Sequence, residues 1–301
     1  VLLERGHDVS GLDSGFHRVG WLYESAERRP QVITRDTRAV TVDDLRGYDA
    51  LVHLAEVSND PVGELNQDVT YKINHEGSLR LAKLAKEAGI ERFIHMSSCS
   101  VYGAAGEQPS REGDPTVPLT SYAKCKVLIE QEVSPLADDT FSPTFMRNAT
   151  AYGASPRQRF DLVVNDLAAG AFLNKEIRMA SDGTPWRPFV HILDISHAVA
   201  CVLDAPRDVI HNEIFNVGSD RSNYQVRQIA EIIGDLVPGC NVVFGDSSAD
   251  KRNYRADFTK IHEQLPGFEC AWDVERGAKD LLDIFERIGF NEELYQFRGH
   301  T

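Results

Sequence analysis

The sequence predicts an α/β fold, a doubly wound parallel sheet with a smaller C-terminal lobe. In the first half of the chain, short apolar runs alternate with longer segments of helical periodicity, which is typical of βαβ units. The length of 301 residues accommodates two domains, or one large unit with an appended lobe. From about Gly153 turn residues cluster and the predicted elements become shorter, which indicates the less regular lobe.

The predicted elements follow one another from the first residue onward. Residues 1–4 are expected to end a helix that closes at Gly6, and the strand over 7–12 ends at Asp13. The later elements are a strand over 50–54, a helix over 71–88, a strand over 92–96, a helix over 121–132, a strand over 144–147 and a terminal amphipathic helix over 278–290.

The start of the sequence lacks two parts of a doubly wound nucleotide-binding fold, which opens with a strand and a glycine-rich turn. Neither G-x-G-x-x-G nor G-x-x-x-x-G-K-S/T occurs anywhere in it. We therefore expect a fragment that lacks roughly 20 residues, namely a strand, a turn and half a helix. The alternative is a protein that has lost this element.

The charge of the chain disfavours two classes of partner. Asp and Glu number 46 against 32 Lys and Arg, a formal net charge of −14. Such a surface repels phosphate backbones and anionic lipids, so we expect neither a nucleic acid nor a membrane partner. No apolar stretch approaches the ~18 residues of a membrane span, and the first residues do not resemble a signal peptide. We expect a soluble, cytoplasmic protein.

The cysteines and histidines give no sign of a metal site. The five cysteines are widely spaced, with no C-x-x-C pair, so reduced thiols are expected. One H-x-x-E spacing occurs, from His53 to Glu56, but it falls at a probable strand end. That spacing does not place both side chains on one face, and we expect no metal there.

Tyr122 and Lys126 lie four residues apart in a predicted helix and therefore on one face. A phenol with a pKa of about 10 is a poor base at neutral pH, but a nearby lysine ammonium stabilises the phenolate. Half-ionisation at pH 7 requires about 3 pH units, or roughly 4 kcal/mol, of such stabilisation. The pair is a candidate general base, although the same spacing is common on solvated helix faces.

Polar groups also follow two of the predicted strands. Ser98 comes at the carboxyl edge of the sheet, where open α/β sheets bind ligands, and its hydroxyl can hydrogen-bond a substrate oxygen. Asp13 ends an earlier strand, where a carboxylate accepts hydrogen bonds from an adenosine ribose. A carboxylate there disfavours a 2′-phosphate and points to NAD over NADP. Each group alone is also compatible with an ordinary polar strand end.

The order of these features resembles the extended short-chain dehydrogenase/reductases, and most closely the NAD-dependent epimerase/dehydratase branch that acts on nucleotide sugars. The matching motifs span nearly the whole chain: Asp13, Leu51–Ala55, Asn74, Ser97–Gly103, Tyr122 with Lys126, Arg147–Gly153, Asp182–His191, Phe215–Gly218 and Asp250–Asp257. The resemblance implies a Rossmann-like NAD-binding domain over 1–153, to which 189–218 return. Residues 154–188 and 219–301 would form the substrate-binding lobe.

The resemblance also implies roles for single residues. Tyr122 would be the catalytic base, Lys126 its ribose-binding partner and Ser98 the catalytic hydroxyl. The other implied cofactor-binding residues are Asp13, Asp36, Thr37, Leu54, Ala55 and Asn74, and the implied substrate-binding residues are Ser98, Thr150, Leu162, Arg187 and Arg252. The two arginines suit a diphosphate because a guanidinium matches phosphate oxygens, with a plain surface arginine as the alternative for Arg252. A homodimer through the helices over 71–88 and 121–132 is implied as well.

Four positions depart from the family pattern. Glu56 stands where a small residue is usual beside the cofactor, and Thr150 where asparagine is frequent. Cys99 and Ser100 replace the Asp–Glu pair with which similar 4,6-dehydratases eliminate water, so we expect redox chemistry at one carbinol only. Cys99 is either an acid/base group or, as we favour, a packed small side chain.

The sequence therefore predicts an NAD-dependent nucleotide-sugar epimerase that acts at C4 through a 4-keto intermediate. Two alternatives stay open. One is an NAD(P)-dependent reductase of a 4-keto sugar or another carbonyl, and the other is a non-catalytic nucleotide-binding member of the family. The sugar and the nucleotide cannot be read from the sequence.

Overall fold

The computed structural model describes residues 1–17, 20–24, 28–58, 60–104, 106, 108–246 and 253–299, without the side chains of 60, 61 and 297–299. The strands in these ranges are β1 (Ser10–Asp13), β2 (Gln31–Thr34), β3 (Ala50–His53), β4 (Arg92–Ser98), β5 (Ser142–Asn148), β6 (Thr150–Tyr152), β7 (Glu176–Arg178), β8 (Trp186–His191), β9 (Glu213–Val217), β10 (Asn223–Gln225) and β11 (Asn241–Val243).

The first α-helix in these ranges follows β3, and the others are interspersed with the later strands. The α-helices are α1 (Asp60–Leu65), α2 (Gln67–Thr70), α3 (Ser78–Glu87), α4 (Ser121–Val133), α5 (Val163–Asn174), α6 (Ile192–Asp204), α7 (Arg207–Ile210), α8 (Val226–Leu236), α9 (Thr259–Gln264), α10 (Val274–Arg287) and α11 (Glu292–Gly299). A π-helical segment over Tyr71–Gly77 joins α2 to α3. Among the described helices, none is both long and apolar enough to cross a membrane.

Four parallel strands form the central sheet in the order β3, β4, β5, β9. Its register places His53 beside His95, and it aligns Ser97, Arg147 and Asn216 across three neighbouring strands. Since the strands are parallel, their carboxyl ends meet at one edge. Strands β1 and β2 form a separate two-stranded parallel sheet.

Helices cover both faces of the central sheet. Successive side chains of a strand point to opposite faces, and Phe93 of β4 packs with residues of α3 and α4 while its neighbour Ile94 packs with residues of α6. This arrangement is doubly wound, so the predicted α/β fold class is confirmed.

A second apolar cluster is built from the later part of the chain. It joins Phe160 to residues of α5, β7, α8 and α10, and its rings include the stacked pair Phe285 and Phe290, 4.3 Å apart between centroids. Two small sheets belong to this region, β10–β8–β6 and β11–β7. Strand β9 nevertheless pairs with β5, so the chain returns to the central sheet before it finishes.

Several predicted bounds were wrong. Residues 2–6 form a hydrogen-bonded turn in place of the predicted helix over 1–4, with Arg5 N donating to Val1 O and His7 N to Leu2 O, and Gly6 closes it at a φ of +89°. The strand predicted over 7–12 begins only at Ser10. The helix predicted over 278–290 starts earlier, since the Asp273 carboxylate accepts the N–H of Arg276 and caps α10, and α11 follows it.

Gly103 supplies a test of the turn that follows β4. Its φ of +60° disfavours any side chain, and an added Cβ would overlap the carbonyl oxygen of Val117. We expect Gly103→Ala to lower the free energy of unfolding by about 3 kcal/mol or more in urea titrations. Gly89 is the matched control, with a φ of +84° and open space around it, so Gly89→Ala should lose only about 1 kcal/mol. Equal losses would contradict the overlap.

Candidate active site

The candidate site begins where β4 ends. Ser98 is the last residue of β4, and its Oγ accepts a hydrogen bond from the N–H of Ser100, 3.1 Å away. The chain then forms a 3₁₀ turn over Cys99–Tyr102 and reverses at Gly103. The turn holds the Ser98 hydroxyl at the carboxyl edge of the sheet.

Helix α4 begins with two of its free N–H groups satisfied. Thr120 Oγ1 accepts from Ala123 N at 3.2 Å, and Glu64 Oε1 accepts from Ser121 N at 2.7 Å. Tyr122 is half-buried and Lys126 is buried one turn later, with its Nζ 5.2 Å from the centre of the Tyr122 ring. The structure therefore brings these two predicted residues together on one face.

A buried ion pair ties α4 to the ends of the strands. Arg147 on β5 donates from Nε and Nη2 to the two carboxylate oxygens of Glu130, at 3.0 and 2.6 Å. Ser97 Oγ donates to the same carboxylate at 2.6 Å, and Arg147 also donates to the Tyr102 hydroxyl at 2.9 Å. Tyr102 in turn donates to Asn216 on β9 at 2.7 Å. Glu130 lies four residues beyond Lys126, so this network fixes the face of α4 that carries both.

The Lys126 ammonium contacts two groups, a backbone carbonyl of β4 and a buried carboxylate. Its ammonium donates to the carbonyl oxygen of Met96 and lies 2.7 Å from Glu56 Oε2. The side chains of Lys126 and Glu56 are only 3% and 2% exposed. Burial raises the pKa of the Glu56 carboxyl and Lys126 opposes that rise, whereas burial disfavours the Lys126 ammonium but Glu56 raises its pKa.

His53, Glu56 and His95 form a cluster that spacing did not predict. One nitrogen or carboxylate oxygen atom from each side chain lies within 4.8 Å of the others, because β3 ends at His53 beside His95 of β4 and Glu56 follows three residues later. The H-x-x-E spacing was not expected to place His53 and Glu56 on one face, but the structure brings the two side chains together. Burial lowers the pKa of His53 to about 3 and that of His95 well below its usual value, so both rings are neutral. The Lys126 ammonium supplies the positive charge of this cluster.

The implied cofactor-binding residues lie at the ends of β1, β2 and β3. The carboxylate of Asp13 is exposed and its Oδ1 accepts from Gly15 N at 2.5 Å. Asp36 caps the short turn that Thr37 opens, and its hydrogen bonds with Arg38 lower its pKa to about 2. Leu54 is 65% exposed and Ala55 is half-buried.

Asn74 holds the loop that carries Leu54 and Ala55. It is fully buried in the π-helical segment, and its amide makes both hydrogen bonds of the Val57 peptide groups. Oδ1 accepts from Val57 N at 2.8 Å, and Nδ2 donates to Val57 O at 2.9 Å. This side chain therefore fixes the course of the backbone just beyond β3.

The implied substrate-binding residues occupy other elements. Thr150 opens β6, which pairs with the strand β8 that carries Arg187. Arg187 is 6% exposed, and its guanidinium lies 5.5 Å from the centre of the Tyr254 ring. Leu162 is the residue before α5, and Arg252 lies outside the described residues.

The Cys99 side chain is packed in the protein interior and is not exposed at the candidate site. It is fully buried, and its Sγ donates to Arg147 O at 3.1 Å. Burial raises the pKa of the thiol far above its usual value, which removes it from acid/base work near neutral pH. The geometry agrees with the packed small side chain favoured from the sequence.

The sequence model of the NAD dependent epimerase/dehydratase family matches residues 1–218. The chain belongs to this family. The predicted family membership and NAD dependence are therefore confirmed, and the protein is an NAD-dependent enzyme.

Individual relatives are distant. The low-salt glycan biosynthesis protein Agl12 of Haloferax volcanii is 26% identical over 248 residues, 81% of this chain and 78% of that protein. The UDP-glucose 4-epimerase of Pongo abelii is 24% identical over an alignment of 318 positions that covers 93% of this chain and 90% of that protein. Among solved structures, TunA, an NAD-dependent NDP-hexosamine 5,6-dehydratase of tunicamycin biosynthesis, superposes with a TM-score of 0.83 at 23% identity, over 95% of this chain and 92% of that one. It shares the fold.

The ion pair of Arg147 with Glu130 gives the test of this site's framework. Removal of one partner leaves the other charge buried, so Arg147→Met should lower the free energy of unfolding by about 3–5 kcal/mol. The exposed pair of Lys279 and Asp283, 2.7 Å apart, is the control. Lys279→Met should change the free energy of unfolding by less than about 1 kcal/mol. Chemical denaturation measures both, and a loss under about 1 kcal/mol for Arg147→Met would contradict this role.

Proposed function

We propose that this protein is a nucleotide-sugar epimerase that inverts C4 through a 4-keto intermediate. The observation that carries the proposal is the position of the Lys126 ammonium, between the Tyr122 ring and the carboxyl end of β4, which finishes in Ser98. A phenol beside a buried ammonium is a base, and a hydroxyl near it can orient a carbinol.

The described residues fit NAD. Asp13 offers an exposed carboxylate at the carboxyl end of a parallel strand, where it can accept the hydroxyls of a ribose. The loop over 54–57, which Asn74 anchors, offers apolar wall through Leu54 and Ala55. The Lys126 ammonium donates to Met96 O and lies 2.7 Å from Glu56 Oε2, and it is the proposed donor to a ribose hydroxyl. Bound NAD supplies the hydride acceptor and, in the return step, the hydride donor.

The residues of this chain move the proton. The Tyr122 phenolate takes the proton of the sugar 4-hydroxyl as the C4–H bond breaks, and Ser98 Oγ hydrogen-bonds the same oxygen. Once the 4-keto sugar has turned over in the pocket, its reduction on the other face would let Tyr122 return the proton to the same oxygen. The Lys126 ammonium stabilises the phenolate before and after the cycle.

Dehydration is less well supported than epimerisation. Loss of water from C5 and C6 needs an extra acid and base, which similar dehydratases place directly after the catalytic hydroxyl. Here those positions hold Cys99, a buried thiol bonded to Arg147 O, and Ser100. Among the relatives, the UDP-glucose 4-epimerase supports reaction at C4 and a UDP-linked hexose as the substrate.

The substrate lobe is proposed to comprise 154–188 and 219–301, packed around its own apolar cluster. Arg187 is the proposed diphosphate ligand, together with Arg252, while Thr150 and Leu162 would flank the sugar. We also propose a homodimer through the helices over 71–88 and 121–132, as the resemblance implies. We also propose a cytoplasmic location.

Tyr122→Phe tests the proposed base. The variant keeps the ring but loses the ionisable oxygen, so the interconversion of UDP-galactose and UDP-glucose should slow by about 10²–10⁴-fold. Cys99→Ala is the control and should stay within about 3-fold of the parent, because the thiol serves packing. Full turnover by Tyr122→Phe would contradict the mechanism.

The fate of the cofactor separates an epimerase from a reductase. An epimerase regenerates its NAD in every cycle, so acid denaturation of the purified protein should release NAD or NADH in near-stoichiometric amount. Net consumption of added NADH together with reduction of a 4-keto sugar would instead favour the reductase.

A further inference from the structure

The Glu56 carboxylate is enclosed by protein, where a negative charge is unfavourable because it loses its hydration. Its side chain is 2% exposed, and a buried carboxylate without a counterion loses several kcal/mol of hydration. The neighbouring rings of His53 and His95 are neutral, since burial lowers the pKa of both. Lys126 therefore carries the charge that compensates Glu56, at 2.7 Å.

The same ammonium faces Tyr122. Lys126 Nζ lies 5.2 Å from the centre of the Tyr122 ring and roughly half that distance from Glu56 Oε2. A positive charge whose counterion is in direct contact acts on a third group nearly as a dipole, and a dipole attracts a phenolate less strongly than a bare ammonium does. Lys126 therefore acts on Tyr122 together with Glu56 and not as a lone charge.

We propose that Glu56 is a positioning residue that holds the Lys126 ammonium against Met96 and partly neutralises it, so that Tyr122 gives up its phenolic proton less readily than it would beside an unpaired lysine. The consequence for catalysis rests on the proposed function, in which Tyr122 is the base. The effect of Glu56 on the ionisation of Tyr122 does not rest on the proposed function, because it involves only residues of this chain.

The surrounding titratable groups fix the sign of the effect. Glu56 faces Lys126 and Cys125 on α4, His53 on β3 and His95 on β4, and the Cys125 thiol is neutral because burial, with Glu56, raises its pKa to about 12. Lys126 also senses the carboxylate of Glu130, which Arg147 neutralises. Removal of the Glu56 charge therefore leaves the ammonium acting on Tyr122 without its nearest counterion, and the phenolate gains stability.

Glu56→Gln is the test, because glutamine keeps an oxygen that can accept from Lys126. We expect the titration midpoint of Tyr122, followed by NMR of ¹³Cζ-labelled tyrosine and assigned with Tyr122→Phe, to fall by on the order of one pH unit. Glu132→Gln is the control. Glu132 lies on the same helix, is 41% exposed and pairs with His75, so its removal should leave the midpoint in place.

An unchanged or higher midpoint in Glu56→Gln would overturn the proposal, and so would an equal fall in Glu132→Gln. If Glu56→Gln does not fold, Glu56→Ala replaces it with the same expected direction. The titration needs no substrate, so it separates the two proposals. A lower midpoint in a protein without epimerase activity supports the role of Glu56 and refutes the proposed function. In an active epimerase, the acid limb of kcat/KM should shift with the midpoint.

Discussion

The ion pair between Arg147 and Glu130 is the interaction on which the site depends. It crosses from the end of β5 to α4, and it is joined there by Ser97 of β4 and, through Tyr102, by Asn216 of β9. Because Glu130 continues the helix face of Tyr122 and Lys126, the pair sets the rotation of α4 about its axis. A buried ion pair adds little net stability once its desolvation is counted. Its value here lies in aiming two side chains at the end of one strand.

The Lys126 ammonium interacts with two groups, the Tyr122 ring and the Glu56 carboxylate. The chemistry of a tyrosine base needs its positive charge, whereas the buried carboxylate of Glu56 needs the same charge as a counterion. A small side chain at position 56 would leave the Lys126 ammonium without its nearest counterion. The structure thus places one ammonium beside both the proposed base and a buried carboxylate, and the carboxylate affects how strongly the proposed base ionises.

The sequence was informative wherever the relevant residues are close along the chain. The four-residue spacing of Tyr122 and Lys126, and the serines at the end of β4, follow from the pattern of single elements. The contact of Glu56 with Lys126 joins residues 70 positions apart and requires both the register of β3 against β4 and the turn after His53. Asn74 was placed near the cofactor by resemblance alone, and only the π-helical segment shows that it acts by binding the Val57 backbone. Periodicity does not encode such contacts.

The proposed function requires that one hydride leave C4 and return to C4 inside a single active site. Its most direct measurement uses UDP-glucose with deuterium at C4, followed by mass spectrometry and NMR of the product formed in ordinary water without added cofactor. The account predicts UDP-galactose that retains the deuterium at C4, with no solvent hydrogen incorporated into the ring. Loss of the label, or its replacement by solvent hydrogen, would contradict it.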